Sequence, residues 1–275
     1  MDCERASGLV ANVMPDHPGV RGAKKIISAM TDCDAYRTQG WVTRVGKPLC
    51  AQPLGGVVDA RQGHGSPDSA AAERLAADLS GRYGPFALQF IGEDAGTVKL
   101  EGTIYDCMST ESADTSKKAG GLVRRFCRDP ETSEVVAHHD LLYLHKWARR
   151  RNFSTAFWDE IRPYYQKSGV ARIELFASLD DGGFVWARAG YSWDPEGSRL
   201  EESLANVRGA AERMEAAAST TPADRMLLRA VIDSLHPYVD DLPSPQQLAM
   251  LSTDDSPNLG RTLMRQAEWY GVMYL

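Results

Sequence analysis

Two clusters in this 275-residue chain carry side chains that could do chemistry. The first is His138-His139-Asp140, which leads into the apolar run Leu141-Leu142-Tyr143-Leu144-His145. A histidine titrates near neutrality, so it can accept a proton from a reacting group and return it. The second is Arg149-Arg150-Arg151-Asn152-Phe153-Ser154-Thr155, where strand-like residues hand over to helix-like ones. The first amides of a helix lack internal partners and sit at the positive end of its dipole. A helix start beside three arginines is therefore a site for a phosphate or pyrophosphate. Asn152 tolerates the left-handed conformation such a turn needs, and Ser154 is small and can cap. A plain structural turn with solvated arginines is the alternative.

Strand alternation puts His139, Tyr143 and His145 on one face and His138 with Asp140 on the other. Glu101 and Glu174, also on strand candidates, are further carboxylate bases. Asp180-Asp181, before Gly182-Gly183, reads as a solvated turn.

These groups need a frame. Ser66-Pro67-Asp68 has the form of a helix start, and 70–82 continues it, with Leu75 and Leu79 four apart. Strands follow at 86–91 and 97–105, separated by the hairpin-type break Gly92-Glu93-Asp94-Ala95-Gly96. A short strand at 122–127 and a turn through Asp129-Pro130 lead to a strand at 135–145. Together they predict an antiparallel meander. The helix after the basic turn puts Phe157, Ile161, Tyr164 and Tyr165 on one face. Another strand spans 172–177. From Leu200 the pattern is helical: 201–218, then a helix that Thr221-Pro222 starts and that runs to about His236. Ser244-Pro245 and Ser256-Pro257 repeat the start signal, and the apolar end from Trp269 to Leu275 should dock. Residues 1–65 are rich in Gly and Pro, with a short helix at 23–30 and strand-like 41–45 and 56–58. The predicted organisation is an N-terminal extension (1–65), an α/β core (66–199) and a C-terminal helical region (200–275).

Composition narrows the classes. The net charge of −6 argues against a general nucleic-acid binder. The balance is uneven: from Lys117 to Arg151 nine basic residues face four acidic ones. That is a solvated basic face or a pocket for a polyanionic small molecule. Five scattered cysteines without a C-x-x-C pair point to reduced thiols in a cytoplasm, and no Cys/His spacing fits structural zinc. There is no apolar run long enough to span a membrane and no signal-peptide pattern at the start, so a cytoplasmic protein is expected.

The order of elements resembles the GCN5-related N-acetyltransferase (GNAT) superfamily, as a divergent member. In that family the pyrophosphate loop reads Q/R-x-x-G-x-G/A between the fourth strand and the next helix. Arg149, Asn152 and Ser154 stand at the matching positions, with both glycines replaced. Gly182-Gly183-Phe184-Val185-Trp186-Ala187-Arg188-Ala189-Gly190-Tyr191 resembles the family's last motif. His139-Asp140 together with that motif resembles GNAT-like modules of bacterial toxin and peptide-modifying contexts. The resemblance covers roughly residues 84–194. It implies a mixed, mainly antiparallel sheet flanked by helices, in the α/β (α+β) class.

It also implies a site. Tyr143, Leu144 and His145 would lie where the family's strand splays from its neighbour and offers an amide to a thioester. Arg149, Arg150, Arg151, Asn152, Phe153, Ser154 and Thr155 would hold the pyrophosphate of acetyl-CoA or a longer acyl-CoA. His139 becomes the favoured base or amine ligand, with Glu101 as an alternative. Trp186 occupies the position where many members have a tyrosine that protonates the leaving thiolate. Indole cannot do that, so another group would serve, or the ring simply packs beside the acyl chain. The implied activity is acyl transfer from a CoA thioester to the amine of a peptide or small metabolite. Two other readings stand beside it: a GNAT-like binding or scaffold module without turnover, and a transferase that uses aminoacyl-tRNA.

Overall fold

The computed structural model describes residues 69–94, 98–106, 117–178, 181–237 and 242–275. The expectations for 1–65 and the helix start at Ser66-Pro67-Asp68 lie outside these. Among the described residues eight strands form one sheet in the order β1-β2-β3-β4-β5-β6-β8-β7. All neighbours are antiparallel except β5 and β6. The fold is mixed α/β, a mainly antiparallel sheet flanked by helices, as the sequence predicts.

Helix α1 (Ser69–Leu79) buries Leu75 and Leu79. It stops earlier than the pattern implies, because Gly81–Tyr83 turns into the short strand β1. Ser80 closes the corner: its hydroxyl donates to the Ala76 carbonyl at 2.6 Å and accepts from the Phe90 amide at 2.8 Å. The meander then runs through β2 (Phe86–Asp94), β3 (Val98–Asp106), β4 (Lys118–Arg128) and β5 (Val135–Leu144). A one-turn 3-10 helix (Lys146–Ala148) leads to α2 (Phe153–Lys167), whose Phe157, Ile161, Tyr164 and Tyr165 are buried. Phe153 and Phe157 stack at 5.6 Å, and Tyr83 meets Phe157 edge-on at 5.0 Å. This aromatic seam ties α2 to the β1–β2 corner.

Strand β6 (Val170–Ala177) returns parallel to β5, followed by α3 (Gly182–Arg188) and the two-residue β7 (Ser192–Trp193). Helices α4 (Gly197–Ala216), α5 (Pro222–Ser234), α6 (Pro245–Ala249) and α7 (Leu259–Arg265) follow. Two of the predicted start signals work as caps. Thr221 accepts from the Asp224 amide, and Ser244 forms a capping box with Gln247. The third does not: α7 starts after Asn258, and Ser256 instead donates its hydroxyl to Asp224 at 2.8 Å.

The helical reading of 200–275 holds up to Arg265 and then gives way to β8 (Trp269–Tyr274). This strand is an inner one, paired with β6 on one side and β7 on the other. The apolar C-terminal run docks by becoming part of the sheet, and Trp269 is fully buried. The region after residue 200 therefore completes the core sheet.

Candidate active site

The strands β5 and β6 are paired from Val135 with Val170 to His139 with Leu175, and no further. Beyond that point β5 continues against β4, and β6 continues against β8. The cause of the parting is a bulge. Arg124 of β4 faces His139, but the next residue, Val123, faces Leu141, so Asp140 is an extra residue on β5. A bulge bends its strand and re-aims the side chains beyond it.

Two arginines hold the bulge. The buried Arg124 donates through Nη1 to the Val123 carbonyl at 2.8 Å and the Leu141 carbonyl at 2.7 Å. Arg125, on the other face, grips Asp140 with two bonds of 2.5 and 2.7 Å. The extra residue also breaks the expected alternation. His139 lies on the face covered by α2, whereas Tyr143 lies opposite Gly121 on the other face, its ring 5.9 Å from that of His145. His139, Tyr143 and His145 therefore do not share a face. His138 and Asp140 lie together on the face away from His139, as expected.

His139 sits in a nest of rings. Trp158 and Tyr165 of α2 approach it edge-on at 6.4 and 5.9 Å, and Trp186 of α3 at 6.4 Å. The Tyr191 hydroxyl lies 3.5 Å from His139 Nδ1, and Nε2 has no hydrogen-bond partner among the described residues. The ring is 4% exposed. Burial, reinforced by the charge of Arg124, depresses its pKa well below the usual histidine value, so it is neutral at pH 7. Burial likewise pushes the phenols of Tyr165 and Tyr191 upward, so both stay protonated. The nest thus offers a neutral imidazole and two phenolic O–H groups beside a buried guanidinium. Trp158 and Trp186, whose rings contact His139, are themselves only half-buried.

The basic turn lies past the open end of β5. Arg150 and Asn152 both take left-handed backbone angles, with φ of 62° and 66°. Asn152 stands at the N-cap of α2, and its side chain makes no capping hydrogen bond. Ser154 is therefore not the cap the sequence allowed. Ser154 and Thr155 are exposed, but the Phe153 side chain is buried in the aromatic seam, so that residue could offer a ligand only its amide.

The three arginines differ. Arg149 donates to the Leu144 carbonyl at 3.0 Å and lies 3.4 Å from Asp181. Arg150 is exposed. Arg151 is bound in a two-point pair to Asp106 at 2.8 and 3.2 Å and lies over the Phe86 ring at 5.1 Å. Its guanidinium is thus already engaged as a structural strut, where the resemblance implies a pyrophosphate ligand. The open end of β5 also depends on a close approach. A Cβ on Gly120 would fall 2.1 Å from the Tyr143 carbonyl oxygen, so only glycine fits there.

Glu101 does not join His139. It lies on β3, is exposed, and is paired with Lys99 at 2.5 Å. Glu174 lies on β6 beside His138 instead. Sequence reasoning missed Arg124, Trp158, Tyr165 and Tyr191. Arg124 did leave a signal: it is a charged residue at the alternate position between Leu122 and Phe126, both buried. A cavity of about 470 Å³ lies between α4 and the segment after α7, lined by Asn206, Arg213 and Glu268 among others. None of its lining residues belongs to the nest or the basic turn.

Among the described residues no cluster of histidine, cysteine and carboxylate side chains could hold a metal ion, and no helix is long and apolar enough to cross a membrane. Neither the known protein-family models nor the curated proteins contain a match to this chain.

Proposed function

We propose that the chain is an acyl-CoA-dependent N-acyltransferase of the GNAT type, moving an acyl group from acetyl-CoA or a longer acyl-CoA to the amine of a peptide or small metabolite. The observation that carries this reading is the parallel pair that parts after His139 and Leu175, with, just past its open end, a helix start whose N-cap side chain makes no capping hydrogen bond. Parted strands leave backbone groups free to bond an inserted chain such as pantetheine. The helix start with Arg149 and Arg150 suits the pyrophosphate. A basic turn alone is a common feature; its placement at the mouth of a strand cleft supports the assignment.

Acyl transfer to an amine requires a proton acceptor, a stabilised carbonyl oxygen and a leaving thiolate. In this reading His139 is the base, because it is neutral and its Nε2 is without a partner among the described residues. For an amine to reach it, one of the rings packed around it must move aside. Tyr191, beside His139 and protonated, supplies the proton that Trp186 cannot give to the departing sulfur.

The sealed state of His139 favours a second reading, a binding module of the same fold without turnover. Calorimetric titration with CoA, acetyl-CoA and a long-chain acyl-CoA, backed by thermal shift, tests the first. Saturable binding weakened by Arg149→Ala/Arg150→Ala is expected. Absence of binding to all three overturns the assignment. Binding without acyl transfer to any amine tested leaves the binding module.

A further inference from the structure

On the sheet face away from the His139 nest, side chains from three neighbouring strands line up. Cys127 Sγ on β4 lies 3.2 Å from His138 Nε2 on β5. His138 Nδ1 lies 3.5 Å from Glu174 Oε2 on β6. The thiol meets one ring nitrogen and the carboxylate meets the other. That order selects the tautomer with the proton on Nδ1, directed at Glu174, and leaves the Nε2 lone pair for the S–H. Glu174 is itself fixed, accepting from Arg172 at 2.8 Å and from Arg199 at 3.1 Å. Cys127 is half-buried and the His138 side chain is 23% exposed, so a reagent can approach both.

We propose that Cys127 is a nucleophile that accepts an acyl group from a thioester or activated ester, with His138 as its general base and Glu174 as the residue that positions the imidazole. Cys127 Sγ attacks the carbonyl carbon while its proton passes to His138 Nε2. The new S–C bond forms, and the bond from that carbon to the leaving sulfur or oxygen breaks. His138 then returns the proton to the leaving group. The products are S-acyl-Cys127 and a free thiol or alcohol, with no net redox change.

The environment selects acyl chemistry over oxidation. Burial and the neighbouring charge of Glu174 push the thiol upward, against the pull of Arg125 and Arg172, so its resting form is the thiol. A peroxide-reactive cysteine needs a standing thiolate. Here the proton must leave during attack, and a neutral imidazole in contact with the sulfur is the group that removes it. Burial first, with Arg125 and Arg199 adding to it, keeps His138 below its ordinary value and therefore neutral. The charged groups facing this pair are Arg125 on β4, Asp140 on β5, Arg172 and Glu174 on β6, Asp129 in the turn after β4, and Arg199 on α4. The inference does not depend on the CoA reading, since it uses the opposite face and none of the same side chains.

The test is acetylation of the full-length protein by p-nitrophenyl acetate and by the thioester S-acetyl-N-acetylcysteamine. Adducts at Cys127 are followed by site-resolved mass spectrometry across the range in which imidazoles and thiols titrate, beside free glutathione. Cys127 should react about a hundredfold faster than glutathione at neutral pH. Its rate should rise with an imidazole ionisation and level off before the alkaline range. His138→Gln should lower the rate about a hundredfold with Tm unchanged. Glu174→Gln should move the inflection to lower pH, a change that a purely structural role would not produce. A Cys127 no faster than glutathione, with a rate climbing only in alkali, overturns the proposal. So does an undiminished rate in folded His138→Gln. If that variant does not fold, the wild-type profile decides alone.

Discussion

Arg124 and His139 stand opposite one another in the β4–β5 register, a buried cation against a buried imidazole, with no carboxylate bonded to either among the described residues. The guanidinium instead bonds two carbonyls at the bulge. Its removal should be felt twice. Arg124→Leu removes the charge-assisted bonds to the Val123 and Leu141 carbonyls, at about 1.5–3 kcal/mol each. Part of that is offset because a buried, unpaired cation is costly in itself. The same change removes a charge that holds His139 down, so the imidazole should titrate higher while staying below its ordinary value, because burial remains. Urea denaturation and NMR titration of the His139 ring read the two effects. A ring that does not move would show that Arg124 exerts no field on it.

The arginines of the basic turn should divide by function. Arg151→Ala breaks the pair with the nearly buried Asp106 and should cost about 1.5–3 kcal/mol, the range for charge-assisted hydrogen bonds. Arg149→Ala and Arg150→Ala should leave stability nearly unchanged and weaken a phosphate-bearing ligand. Thermal melts and CoA titrations of the three single variants separate these outcomes. Equal losses of Tm in all three would refute the division.

Phe157→Ala removes a buried ring that stacks on Phe153 and meets Tyr83 edge-on. A loss of about 3–5 kcal/mol is expected from equilibrium unfolding. A cost under about 1 kcal/mol would mean the seam collapses around the gap.

Gly182 and Gly183 are adjacent but should respond oppositely to alanine. A Cβ on Gly183 would fall 2.0 Å from the Met264 carbonyl oxygen and 2.8 Å from that of Ala267. Gly183→Ala must push α3 away from α7, and a loss of several kcal/mol is expected, about the upper end for overpacking. A Cβ on Gly182 meets nothing closer than 3.7 Å, so Gly182→Ala should be neutral or stabilising. Differential scanning calorimetry of the two variants checks this.

The protein should lose stability in mild acid. His138 and His139 are held below the ordinary histidine value when folded, so the unfolded chain binds their protons first as pH falls. The loss therefore begins near the unfolded histidine value, about 6.5, and deepens until the folded rings titrate. Asp129 and Glu174, both held below the usual carboxylate range, stay ionised through that window. Urea midpoints at neutral and mildly acidic pH should show the slope. His139→Leu should flatten it, and an equally steep slope in that variant would remove His139 from the account.

Most of the frame was legible because alternation and capping are local. The meander, the buried face of α2 and the Thr221 and Ser244 starts follow from residue types a few positions apart. The bulge at Asp140 was not legible. A single extra residue is invisible to a pattern of period two, and it reverses the faces of everything after it. That is why His139 and Tyr143 part. Arg151 was misjudged for a related reason: its partner Asp106 lies on β3, and nothing local announces a pairing across that distance. β8 was hidden because an apolar run after helices reads equally well as a docked tail.

The inner position of β8 makes the sheet a late and non-local assembly. β6 cannot acquire its second neighbour until the chain has passed through α3 to α7 and returned. Until then β6, with its run of apolar residues, presents a bare edge to any other strand in solution. Bare edges template association between chains, and non-local pairings form slowly. Truncation before Trp269 would make that transient exposure permanent, and the expected product is an aggregate and not a smaller folded protein.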